Sequence, residues 1–151
     1  MKRFLSTCAA LAAFAMPVAA MDDDIVKVAA TGSVAETMDA LEAAVTKAGV
    51  AVFARIDHGA GAKSVDMDLG DSQLLIFGSP KIGTPAMQDD PLAGLYLPLK
   101  VLVYQDAEGK VWLAYENPTD MLDDLTIAND AAYLGKMAGA LGKLTGVAAG
   151  Q

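Results

Sequence analysis

Apolar and polar positions change their period along this chain, and each change marks an element. Apolar residues crowd the segment from Ile25 to Ala30, with Ile25, Val26 and Val28 among them, and predict a strand that ends at the Thr31-Gly32 turn. The spacing then lengthens: Val34, Met38, Leu41 and Val45 recur at helical intervals and make one apolar face. Ser33 and Glu36 fit a capping box at the start of that run, and Gly49 fits a stop at its end. The pattern predicts a helix from about Val34 to Ala48. Period two returns from Val50 to Ile56, with Val50, Val52, Ala54 and Ile56 on one face and Phe53 and Arg55 on the other.

The glycine-rich stretch from His58 to Ala62 reads as the start of a short helix reaching Met67, and Gly70-Asp71 as a break. Leu74 to Phe77 is a continuous apolar run, the mark of a strand covered on both faces. From Gly78 to Pro98 the pattern is interrupted by Pro80, Gly83, Pro85, Pro91, Gly94 and Pro98. This predicts a shaped loop with a turn or two of helix between Ala86 and Ala93, a type of segment that often forms a binding edge. Leu99 to Gln105 and Val111 to Tyr115 read as a hairpin joined by Asp106-Ala107-Glu108-Gly109. The chain closes with a helix from Asp130 to Thr145, carrying Leu134, Met137, Leu141 and Leu144 on one face. Gly135, Gly139 and Gly142 each lower its propensity by about 1 kcal/mol relative to alanine, and would let it sit close to a sheet. Strand, helix, four strands and helix together predict an α+β domain, an antiparallel sheet with helices on one face.

Ahead of these elements stands a different pattern. Lys2 and Arg3 precede an apolar run from Phe4 to Met16, and Val18-Ala19-Ala20 supplies the small residues of a cleavage site. This is the pattern of a secretory signal peptide at residues 1–20, its apolar run shorter than the ~20 residues a spanning helix needs, and it predicts cleavage to leave a single domain at 21–151, exported to the periplasm or beyond. Cleavage removes Cys8, the chain's one cysteine, and so removes disulfide and thiolate chemistry. It also removes Lys2 and Arg3, so that nine Lys and Arg stand against 19 Asp and Glu, and the net charge moves from −8 to −10. So acidic a chain disfavours nucleic acid and anionic lipid as partners, and no stable membrane insertion is expected.

Several motifs in order carry a family resemblance. Ala54-Arg55-Ile56-Asp57-His58 is followed by Ala60-Gly61-Ala62-Lys63, then by Leu75 to Pro85, then by Asp90-Pro91 and Leu97-Pro98-Leu99-Lys100-Val101. Over roughly Ile25 to Met121 the chain resembles the bacterial and archaeal domain of unknown function 302. The resemblance implies a TATA-binding-protein-like β-α-β4-α arrangement and a homodimer. It implies no activity, and one fold hosts unrelated sites.

The candidate chemistry is cationic. Arg55, Asp57 and His58 end the second predicted strand, and an imidazole beside a carboxylate suits general acid–base work near neutral pH. Neighbouring strand residues point to opposite faces, so a plain reading makes Asp57 or His58 a helix cap and Arg55 a surface cation. Gly78 to Thr84 leaves a strand for a helix start, where backbone amides, Lys81 and Thr84 could hold an anion. It lacks the Gly-Lys-Ser/Thr end of a P-loop, and a rigid turn explains it as well. Lys100 interrupts an apolar strand. Gathered together, Arg55, His58, Lys81, Thr84 and Lys100 would bind a small anionic ligand. Tyr104, Trp112 and Tyr115 read as cross-strand packing. One histidine without cysteine makes a poor zinc set, Met67, Met87, Met121 and Met137 suit core filling more than copper, and no nucleophile elbow is present, so no cofactor is expected. Three functions follow as expectations: an exported small-anion-binding or accessory module; an enzyme using His58 as acid or base, supported by Asp57 or Lys100; and an interaction domain that pairs through an open sheet face.

Overall fold

The computed structural model describes residues 24–151, and the expected signal segment lies outside them. The strands are β1 (Ile25–Ala30), β2 (Ala51–Asp57), β3 (Ser72–Gly78), β4 (Leu99–Gln105) and β5 (Val111–Glu116). The helices are α1 (Val34–Lys47), α2 (His58–Lys63), α3 (Pro80–Asp89), α4 (Pro118–Met121) and α5 (Ala132–Ala149), with a 3-10 turn at Pro91–Leu95. One sheet in the order β1-β5-β4-β3-β2 is antiparallel throughout. With α1 after the first strand and α5 after the last, the chain has the expected β-α-β4-α order. The two long helices pack together and cover one face of the sheet.

Local chemistry sets these elements. At the start of α1 the Ser33 amide donates to the Glu36 carboxylate at 3.0 Å, and the Glu36 amide donates to the Ser33 hydroxyl at 3.3 Å. The apolar stripe behind this box, Val34, Met38, Leu41 and Val45, is buried. It joins Leu75 and Phe77 of β3, Val101 and Val103 of β4, Leu113 of β5, and Met137 and Leu141 of α5 in one core.

At the β4–β5 turn the Asp106 carboxylate accepts from Trp112 Nε1 at 2.7 Å and from the Lys110 and Glu108 amides at 2.8 and 3.1 Å. These bonds, the one from Trp112 foremost, hold its pKa below the ordinary 3.8. A carboxylate lowered by folding stabilises above its unfolded pKa, and that contribution is lost as pH falls through the folded value. Emission from Trp112, the one tryptophan, is therefore expected to stay constant down to about pH 4 and to change below it. Asp106→Asn should abolish the change.

Four readings from the pattern are corrected. In β2, Val52 lies opposite Phe77 and Ala54 opposite Ile76, so Phe53 is an inserted residue. A bulge of this kind reverses the alternation beyond it. Val52 and Arg55 consequently share the helix-covered face, while Ala54 and Ile56 turn to the open one. In β3 only Leu75 and Phe77 are buried; Leu74 and Ile76 are half-buried on the uncovered side. The proline-rich stretch is mostly helical, since Pro80 occupies the first turn of α3, where a missing N–H costs nothing. Pro85 sits inside the same helix and cannot donate to the Lys81 carbonyl. In α5, finally, Gly135 and Gly139 have no heavy atom within 4 Å of where a Cβ would stand, and Gly142 meets only the Tyr115 hydroxyl at 3.9 Å. Gly135 and Gly139 thus meet open space, and Gly142 touches the sheet only at the edge of ordinary contact, so none of the three draws the helix close.

Gly59 is the position where close approach is real. A Cβ there would lie 2.6 Å from the Gly70 carbonyl oxygen, whereas Gly61 has open space. Gly59→Ala is expected to lower stability by about 1–3 kcal/mol through overpacking against backbone. Gly61→Ala should raise it by about 0.4–1 kcal/mol by restricting the unfolded chain. Urea unfolding of both variants checks the contrast.

Candidate functional site

The site forms where β3 hands over to α3 and the chain returns into β4. Ser79, extended, stands before the first turn of α3, and its hydroxyl caps nothing. The return passes through the 3-10 turn to Leu97 and Pro98, whose peptide bond is cis. Between these segments lies a cavity of about 410 Å³. Gly78, Ser79 and Pro80 form its floor, Ile82, Gly83, Thr84 and Met87 of α3 one wall, and Leu97, Pro98 and Leu99 another. Met137 of α5 and Phe53 of the β2 bulge complete it. No charged side chain lines it, and its volume falls within the ~300–1,000 Å³ of small-molecule sites.

The far end of α3 is held in place. Tyr133 donates to the Asp89 carboxylate at 2.9 Å, and burial, reinforced by Asp89, pushes its phenol up to about 12. The Asp90 carboxylate accepts from the Thr126 and Leu92 amides at 3.0 and 2.9 Å, which lower its pKa. α3 is thereby tied to α5 and to the loop before it, and the cavity wall is fixed at one end.

The expected cationic hollow does not form. Arg55, on the helix-covered face, donates to Asp39 at 2.6 Å, Glu42 at 3.1 Å and Gln73 at 2.9 Å. The Asp39 bond is the main cause raising its pKa, and its charge is already matched by α1. Lys100, opposite Ile76, lies on the other face, where Nζ donates to the Tyr96 carbonyl at 2.8 Å. His58 is exposed at the start of α2, and the Asp57 carboxylate beside it accepts the Ala60 amide at 2.7 Å as the helix cap. A six-residue rise of roughly 20 Å along β2 and β3 separates the His58 end of the sheet from the Lys81 end. Lys81 is exposed on α3 beside the cavity without lining it; Thr84 alone of the five expected residues does line it. His58 likewise has no part in the cavity, which leaves the acid–base reading without a substrate surface there.

The proline-rich segment, expected to form a binding edge, lines the cavity, and Phe53, Met87 and Met137, which the pattern did not mark as ligand-binding residues, line it too. The one available signal was Phe53, a large apolar residue on the strand face otherwise marked by Arg55. The aromatic grouping is also corrected: Tyr104 pairs with Trp112 on the open face, while Tyr115, opposite Val26, lies on the covered one. The open face carries Ala54, Ile56, Leu74, Ile76 and Leu102 around Lys100. None of the described helices is long and apolar enough to cross a membrane.

A five-stranded antiparallel sheet, covered on one side by helices and bordered at one end by an uncharged cavity, defines an α+β domain. The chain belongs to the family described as domain of unknown function DUF302, which matches residues 26–147. A crystal structure described as an uncharacterized conserved DUF302 protein from Bacillus stearothermophilus superposes with a TM-score of 0.68 at 20% identity. The match covers 85% of this chain and 97% of that one, and shows the same fold. Proteins named fluoride-specific ion channel FluC 1, from Brucella suis biovar 1 (strain 1330) and Brucella abortus biovar 1 (strain 9-941), are 39% identical over 132 residues. These residues are 86% of this chain but 52% and 48% of those proteins, so the chain spans about half the length of the curated relatives it matches.

Proposed function

We propose that this protein is an exported module that binds a small, neutral, mainly apolar molecule in the cavity between α3, Leu97–Leu99 and Met137. The observation that carries the reading is the lining: apolar side chains and two hydroxyls, those of Ser79 and Thr84, with no ionised group. Burying an unpaired charge there would be costly, so an anionic ligand is disfavoured and a neutral one favoured. Export rests on the signal pattern at residues 1–20. Cyclohexanol, added to protein labelled at its methionine methyls, tests the reading. Saturable shifts are expected at Met87 and Met137 but not at the exposed Met67. Unmoved Met87 and Met137 methyls at saturating probe would end it.

A second reading is supported by the open face. Its half-buried apolar residues suit pairing with a second copy, as Ile76 and Leu102 would otherwise meet water. Light scattering should give a dimer for the protein and a monomer for Ile76→Lys. The relatives that join a similar segment to as much chain again support an accessory role within this reading.

A further inference from the structure

Phe53 is in an unusual place for a large aromatic residue. It is 60% exposed, yet it lines the cavity, so it stands at the mouth. The bulge puts it there: as the inserted residue of β2 it has no partner in β3, and bulges re-aim side chains in this way. Gly78 makes the room, since a Cβ there would lie 3.6 Å from the Phe53 ring and 3.2 Å from Pro98. Two thioethers, Met87 and Met137, line the same space. Sulfur and aromatic edges both attract π-systems in preferred geometries, and a saturated ring of equal size gains neither contact. The Ser79 and Thr84 hydroxyls can bond one polar group of a bound molecule.

Resting on the small-ligand reading above, we propose that the cavity selects a neutral ligand with one aromatic ring and a hydroxyl or similar hydrogen-bonding group, and that Phe53 is the residue that reads the ring. The binding of phenol and cyclohexanol, which share size and hydroxyl and differ in the π-system, tests it by titration of the protein. Phenol should bind about tenfold more tightly, and the preference should shrink to about twofold in Phe53→Leu. Equal binding of the two probes to the unaltered protein would overturn the aromatic preference and leave the cavity reading standing. A preference that survives Phe53→Leu would overturn the role of Phe53. If neither probe binds, the cavity reading itself falls, and this inference with it.

Discussion

Phe77→Ala is expected to remove about 3–5 kcal/mol of stability, the largest loss of any change considered. The Phe77 side chain is 1% exposed and belongs to the core under α1. It lies in β3, with Val52 opposite on one side and Leu99 on the other. Strands paired on both sides cannot slide inward to fill a lost ring, so most of the void should remain and add its penalty to the lost transfer energy. Urea unfolding should show a lower midpoint with an unchanged slope, the mark of altered stability rather than altered compactness. Phe53→Ala is the control. The residue type and strand pair are the same, but at 60% exposure the change should stay within about 0.5 kcal/mol. Similar losses at both positions would mean that the buried face of β3 is not where the stability lies.

That pair of phenylalanines also shows what periodicity could and could not reveal. Regular elements were legible because each apolar position repeats a period that one backbone geometry explains. The α1 stripe with its Ser33–Glu36 box was readable to within a residue or two, as was the hairpin turning at Asp106–Gly109. The bulge was not, because an inserted residue leaves the hydrophobic count unchanged and only shifts which face each residue meets. One slip at Phe53 reassigned Ala54, Arg55 and Ile56 together. The first half of α3 reads as a shaped loop, with helix expected only from Ala86 onward, because three helix-disfavouring residues cluster there. Pro80 is harmless at the first turn, and packing of Ala86 with the tie from Asp89 to Tyr133 outweighs Pro85.

The cations misled for a related reason. Sequence proximity to motifs gives no direction, and direction decides whether positive charges converge. Arg55 points to two carboxylates sixteen and thirteen residues earlier, a pairing that only the α1–β2 crossing creates. Lys100 points the opposite way because it is one residue out of phase with the buried Leu99 and Val101. The cavity, in contrast, is lined by residues that looked like ordinary core: Met137 is one of the α5 stripe residues, and Leu99 opens β4. Apolar cavities carry no compositional signature, since the same side chains fill cores and line hollows.

Filling the hollow is the sharpest way to separate a binding site from incidental empty space. Gly83→Phe is expected to weaken binding of cyclohexanol at least about tenfold while leaving the folded protein as stable as before, or more so. A Cβ at Gly83 would meet Leu97 Cδ1 at 3.5 Å and Met87 Cε at 3.9 Å, both ordinary contacts, so the ring can extend between the two cavity walls. The change also replaces a helix-interior glycine by a better helix former, a gain of roughly a few tenths of a kcal/mol, and it buries new apolar surface. Steric blocking therefore predicts opposite signs for the two measurements: probe affinity falls while the urea midpoint holds or rises. If both fell together, the ring would be overpacking α3 against Leu97, and the volume between them would be too narrow for a ligand. If neither moved, the added ring would be pointing to solvent, and the wall of the cavity would not be the face of α3 that carries Gly83.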